Sequence, residues 1–288
     1  MKIPEEQAPL QKSGYVFDAE SATEMARLLL QDRLINEMVG GLFPEREDLN
    51  GIENILDIGC GPGGWALDVA RSYPRKQITG IDISDTMLAY ANEQKKLHML
   101  ANIHFEKMDA RETLLFADQS FDLVNIRYAA GYISKHVWPK LLKECVRITK
   151  PGGILRVSEP DRMGLTNSIS FEKYAYYLAL LLSKLEYGLA VDPYSFGMSP
   201  MIGKLFQEAG YTDIQMKSYV LDFSYGTALY HVQLQNIEIS CQLLQPRLKK
   251  MAIATQEELE STYEAMLREL GGEDFCGIGY LFTFWGKI

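Results

Sequence analysis

The segment Ile55-Leu-Asp-Ile-Gly-Cys-Gly-Pro-Gly-Gly64 constrains this chain more than any other stretch. A short apolar run of strand character leads into alternating glycines, Gly59, Gly61 and Gly63, and then into a helix-forming stretch. Glycines accept φ > 0 and let a ligand approach the backbone with no Cβ in the way. Asp57, two residues before the first glycine, sets a carboxylate at the strand end beside the turn. That placement suits a ligand carrying positive charge.

The residues that follow repeat the strand and helix alternation. Strands are expected over 52–58, 77–83, 103–107, 121–126 and 154–158, with a turn at Pro151-Gly-Gly153. Helices are expected over 64–72, 85–96 and 137–148, the second capped by Ser84. Such alternation predicts a parallel sheet with helices on both faces. Upstream, apolar spacing predicts a helix between about 19 and 43, ended by Gly40-Gly41. Downstream, Phe171 to Leu189 reads as one long amphipathic helix, and Ser199-Pro200 opens another that ends at Gly210. Strands over 213–223 and 277–285 flank a helical stretch over 227–271 and predict an antiparallel addition at the sheet edge. The chain thus divides into an N-terminal helical arm over 1–50, a core over 51–160, a helical lid over 161–199, and the rest of the core over 200–288. All four parts belong to a single domain. Residues 1–14 read as loosely attached.

Composition narrows the partners. The 288 residues carry 29 basic and 38 acidic side chains, a net charge of −9, which disfavours nucleic acid as a substrate. The basic run Arg247-Leu-Lys-Lys250 reads as a solvated helix face. Four widely spaced cysteines without metal or redox spacing fit a reduced, cytoplasmic protein. The N-terminal stretch lacks the apolar region of a signal peptide, and no apolar run approaches the ~20 residues of a membrane span.

The glycine pattern alone fits two kinds of cofactor, since Gly59-x-Gly61-x-x-Gly64 also satisfies the dinucleotide fingerprint. Asp57 discriminates: a pyrophosphate sits badly beside a carboxylate, whereas a sulfonium or ammonium gains roughly 4 kcal/mol at contact before desolvation. Asp82, ending the second strand, suits both hydroxyls of a ribose. Asp109 and the Ala110 N–H suit an adenine edge, and Ile83 and Met87 its faces.

The glycine loop, ITGIDIS at 78–84, MDA at 108–110, FDLVNIR at 121–127 and LLKECVRITKPGGILRVSEP at 141–160 resemble the successive motifs of class I S-adenosylmethionine (SAM) dependent methyltransferases. The likeness covers about residues 50–160, with a family-like ending in the helix over 200–209 and the two last strands. It is most similar to the small-molecule branch that includes quinone-biosynthesis methyltransferases. It implies an α/β, Rossmann-like, seven-stranded and mostly parallel sheet with the last strand antiparallel, plus helical lid insertions. It also implies SAM as cofactor and S-adenosylhomocysteine (SAH) as product, lying across the carboxyl ends of the first strands. An NAD(P)-dependent oxidoreductase is the alternative, opposed by Asp57. A SAM-binding enzyme or module that does not methylate is another, because a fold does not fix a reaction.

On this reading Tyr15, Asp57, Gly59, Gly61, Asp82, Ile83, Met87, Asp109, Ala110, Asn125 and Arg127 are the candidate cofactor residues, with Arg127 toward the SAM carboxylate and Tyr15 over the methionine end. Asn125 stands where metal-dependent catechol enzymes carry an Asp, so no metal site is expected. Residues 125–128 also lack the prolines of adenine and amide N-methyltransferases. Candidate bases are Tyr128, Tyr132 and His136 after strand four and Glu159 after strand five. His136 has the pKa range for the task, and its rival reading is a surface residue. The aromatic and apolar excess after residue 160 points to a small lipophilic or aromatic acceptor under a water-excluding lid. The same segments alternatively pack as core or meet a second copy in a homodimer.

Overall fold

The computed structural model describes residues 14–288, so the loosely attached stretch expected over 1–14 lies, but for Gly14, outside the described residues. Helix α1 (Ala22–Val39) starts where Ser21 accepts the Glu24 N–H and stops at Gly40 in the left-handed region. The alternating core then runs β1 (Asn54–Ile58), α2 (Gly64–Ser72), β2 (Gln77–Asp82), α3 (Asp85–Leu97), β3 (Ile103–Lys107), β4 (Phe121–Arg127), α4 (Trp138–Ile148) and β5 (Thr149–Glu159). After it come β6 (Leu165–Thr166), α5 (Ile169–Lys184), α6 (Met198–Ala209), β7 (Thr212–Asp222), α7 (Tyr230–Lys250), α8 (Gln256–Leu270) and β8 (Gly277–Lys287). None of the described helices is long and apolar enough to cross a membrane.

β1 pairs in parallel with β2 on one side and β4 on the other, and β3 and β5 extend the sheet outward. β8 runs antiparallel to β5 and to β7, as the resemblance implies. Both faces are covered, and the side-chain period of two shows it. Ile55, Leu123 and Ile154 join Trp65 and Val69 of α2 and Leu88 of α3 in one buried cluster. Their chain neighbours Leu56, Val124 and Leu155 join Trp138 and Leu142 of α4 and Phe206 of α6 in the other. All six strand residues are 6% exposed or less.

Four expectations are adjusted. The sheet has eight strands, because the two-residue β6 pairs with the start of β8 on the edge that β5 uses further along. Pro160 has no N–H to continue the ladder, so the chain leaves the sheet between Glu159 and Leu165. The turn expected at Pro151-Gly-Gly153 is present as a bulge with Gly152 at φ 77°, but it lies inside β5, which begins at Thr149. The register against β4 slips between Phe121 and Leu123. The Gly152 N–H bonds Ile288 O instead. The helix expected to reach Leu189 ends at Lys184, where Glu186 turns left-handed and the Tyr187 N–H bonds back to Leu182 O. The helical stretch over 227–271 divides into α7 and α8, the latter opened by a capping box between Thr255 and Glu258.

Leu155 is fully buried in a central strand. Leu155→Ala is expected to lower unfolding stability by about 2–5 kcal/mol, read as a reduced urea midpoint with an unchanged slope.

Candidate functional site

The glycine turn sits at the carboxyl ends of β1 and β2. Gly59, Gly61 and Gly63 all take positive φ, at 69°, 53° and 80°, which only glycine adopts without strain. The turn is fastened to β2 by Cys60 N–H donating to Ile81 O and by Gly61 N–H donating to Asp82 Oδ2 at 2.9 Å. Asp82 Oδ1 accepts the Ser84 N–H. Burial raises the Asp82 pKa, and these backbone donors oppose the shift. A Cβ on Gly59 would overlap Tyr132 Oη, so the loop has closed around a side chain that lies against its backbone.

A cavity of about 960 Å³, including its open mouth, spreads from this turn. It brings together Tyr15, Gly59, Gly61, Asp82, Ile83, Met87, Asp109, Ala110, Arg127 and Tyr132, all expected from the sequence. Asp109 accepts the Arg111 N–H, Nε and Nη2. Burial pushes the Asp109 carboxyl up, but the Arg111 hydrogen bonds carry it below its ordinary pKa. Tyr132 donates to Ile58 O at 3.3 Å, and Tyr15 to Glu24 Oε1 at 2.6 Å.

Asp57 lies under the turn, 2% exposed, and does not line the cavity. Its Oδ1 accepts from Asn125 Nδ2 at 2.8 Å, and its Oδ2 is buried without a partner. Burial raises its pKa to about 6, with the Arg127 charge and the Asn125 bond holding it from going further. Asn125 is likewise displaced from the cofactor role expected of it. It is fully buried between Asp57 and Arg156, whose Nη1 donates to its oxygen, so it orients Asp57 and does not reach the cavity. Arg127 does reach it, and its Nη2 pairs with Asp32 Oδ1 at 2.7 Å. Its Nε and Nη1 are buried and unpartnered.

A second cavity, about 1120 Å³ with its mouth, adjoins the first, and Tyr15, Leu28, Gln31, Ile35 and Tyr128 line both. Its walls are mostly apolar, including Phe17, Leu34, Met38, Met163, Leu178, Leu182 and Phe196. The segments after residue 160 therefore supply both cavity wall and core. Glu159 lines this space while 1% exposed, and its two oxygens accept the Ala129 and Ala130 N–H at 2.5 and 3.2 Å. Burial drives its pKa up to about 8 against those two donors. Tyr128 stands at the junction in the left-handed region, φ 55°, a strained conformation for a residue with a side chain.

His136 is a surface residue. Two-thirds exposed, it bonds Glu186 at 3.3 Å and lines neither cavity, so its candidacy as a base fails on position. The sequence reading missed the contribution of α1: Leu28, Gln31, Asp32 and Ile35 roof the cofactor cavity. The available signal was the polar pair Gln31-Asp32 interrupting Leu28-Leu29-Leu30 and Leu34-Ile35. Arg111 was also missed, since its partner Asp109 was considered alone.

The arrangement fits SAM. The left-handed glycines leave a backbone cradle, the Asp82 carboxylate lines the cavity beside it, and Arg127 and Asp57 near the turn keep two donors and one acceptor buried without partners. Known proteins agree. A methyltransferase-domain family model matches residues 55–153. A demethylmenaquinone methyltransferase of Geobacillus kaustophilus (strain HTA426) is 30% identical over 188 residues, 62% of this chain and 76% of that protein. Phosphoethanolamine N-methyltransferase 2 of Haemonchus contortus, solved with SAH and phosphomonomethylethanolamine, superposes with a TM-score of 0.55 at 20% identity. That overlap takes in 94% of this chain and 60% of that one. The 4+2 cyclase SpnF superposes at 0.51 and 20% identity over 93% of this chain and 96% of its own, so the fold also hosts other chemistry.

Gly59→Ala places a methyl group against Tyr132 Oη at positive φ. The SAH dissociation constant, measured by titration calorimetry, is expected to rise at least about ten-fold, or ~1.4 kcal/mol. Glu159 makes a pH prediction. Its folded pKa of about 8 exceeds the ordinary 4.5, so its contribution to stability is complete below the unfolded value and drains away as pH rises toward 8. Glu159→Gln should flatten the fall in unfolding free energy between those limits, and equal slopes in both proteins would contradict the shift.

Proposed function

This chain belongs to the class I SAM-dependent methyltransferases, and we propose that it methylates a small, uncharged, lipophilic or aromatic acceptor held in the second cavity, without a metal ion. The observation that carries this reading is the adjoining pair of cavities, the first holding the glycine turn with Asp82 and Asp109, the second walled mostly by apolar side chains. Bound at the turn, SAM supplies an electrophilic methyl group on a sulfonium. In the proposed assignment Asp82 holds the ribose hydroxyls, Asp109 and Ala110 the adenine edge, and Ile83 and Met87 its faces. Gly59 and Gly61 permit close approach, and Tyr15 and Tyr132 border the methionine end. The protein's share of the rate is then positioning and exclusion of water, since a preoriented displacement needs little else.

Charge supports an uncharged acceptor. Arg27 and Arg162 line the second cavity already paired with Glu24 and Glu172, and no lysine lines it among the described residues. Arg162 keeps its Nε unpartnered, but a phosphorylated acceptor would have to approach both arginines beside the carboxylates that hold them. The relatives named for demethylmenaquinone make a quinol a reasonable member of the class. Where the acceptor is protonated when bound, Glu159 is the carboxylate placed to take its proton, and its raised pKa suits that transfer near neutral pH. Metal independence is supported by Asn125, an amide committed to Asp57 and Arg156.

The test is mass spectrometry of acceptors incubated with enzyme and SAM, using naphthoquinols, simple phenols and phosphoethanolamine, each with and without EDTA. A methyl gain on a quinol or phenol that survives EDTA is expected. Methylation of phosphoethanolamine alone, or loss of activity in EDTA, would refute the proposal. Asp82→Asn should weaken SAM binding by roughly 1.5–3 kcal/mol, the value of a charge-assisted hydrogen bond.

A further inference from the structure

Helix α1 forms a wall common to both cavities. Leu28, Gln31 and Ile35 face the two together, while Asp32 lines the first and Arg27, Leu34 and Met38 the second. Among the described residues, the ion pair that joins α1 to the sheet is Asp32 with Arg127, at 2.7 Å and with both side chains less than a fifth exposed. The other ion pairs of α1, Arg27 with Glu24 and Arg33 with Glu37, stay within the helix.

Arg127 is only partly satisfied by that pair. Its Nε and Nη1 are buried without partners, as is Asp57 Oδ2. Buried donors of a guanidinium are costly to leave unmade, and a ligand carboxylate beside Arg127 would answer one of them with a charge-assisted hydrogen bond. Asp32 has a second favourable neighbour. Its Oδ2 occupies the space where Gly64, the first residue of α2, would carry a Cβ, and a helix N-terminus favours a carboxylate. Asp32 can therefore keep its place while Arg127 divides its donors between two carboxylates.

We infer that Asp32 and Arg127 form a latch that reads the amino-acid end of the cofactor and, once that end is seated, holds α1 closed over the sheet, completing the wall of the acceptor cavity. This rests on the SAM-binding reading and goes beyond it. Asp32 becomes a positioning residue, and binding becomes ordered: the cofactor enters first, because α1 also encloses the acceptor.

The test is hydrogen–deuterium exchange on the full chain with two probes. SAH carries the amino-acid end, and methylthioadenosine has the same adenosine and thioether without it. With SAH, amides of 22–39 and of the glycine turn should both exchange about ten-fold more slowly. With saturating methylthioadenosine only the turn should be protected. Asp32→Asn, which keeps the side chain's size, should keep SAH protection at the turn and lose it over 22–39. Protection of 22–39 by methylthioadenosine equal to that by SAH, or its survival in Asp32→Asn, overturns the latch while leaving SAM binding intact. Calorimetry that shows no SAH binding to the unaltered chain overturns the SAM reading and the latch with it.

Discussion

The pairing of β1 with parallel neighbours on both sides governs where the polar groups of the site stand. In that register Asp57 lies opposite Gly80 of β2 and Asn125 of β4. A parallel strand flanked on both sides is buried on both faces, so a carboxylate near its end is buried as well. Asn125 answers one of its oxygens and leaves the other buried without a hydrogen-bond partner. The same register brings the ends of β1, β2 and β4 level, which sets the glycine turn, Asp82 and Arg127 around one cavity.

Burying charge this way has to be offset locally. Arg156, 3% exposed, pairs with Glu45 at 2.6 Å and donates to Asn125, so a chain of side chains runs from the loop before β1 to Asp57. Each link fixes the rotamer of the next, and a low-dielectric surrounding strengthens every bond while making each unmade one expensive. Around the glycine turn, Asp57 and Arg127, one anionic and one cationic, keep buried atoms without hydrogen-bond partners. A zwitterionic ligand is the complement of such a pair.

The fold was legible through 54–159 because glycine, apolar runs and cap residues act over a few neighbours. Ser84 caps α3 as its sequence position implies, accepting the Met87 N–H at 3.1 Å. Boundaries failed where a distant strand took over. Pro151 to Gly153 looks like a turn to its neighbours, and Gly152 does turn left-handed, but the segment is a bulge inside β5 between the Thr149 and Ile154 pairings with β4, and the Gly152 N–H bonds Ile288 O. Among site residues, Gly59, Gly61, Asp82, Asp109 and Arg127 line one cavity, whereas Asp57 lies buried beneath the turn. His136 lines neither cavity, because it lies beyond the strand, where Glu186 on a separate segment decides its surroundings. Asn125 was assigned to the right strand end, but its side chain serves Asp57 and not the cavity.

The amino-acid order by itself determined the cofactor half of this protein: a glycine turn with its φ requirement, an acid before it and acids ending the next two strands, all local in sequence and each tied to a single chemical need. Tertiary structure alone decided the other half. Asp32 meets Arg127 across 95 positions of chain, and the second cavity draws its walls from α1, the end of β5, α5 and α7 among other segments. A side chain's neighbours in such a wall are chosen by the packing of whole elements, and residues this far apart leave no periodic or local trace of the contact they will make.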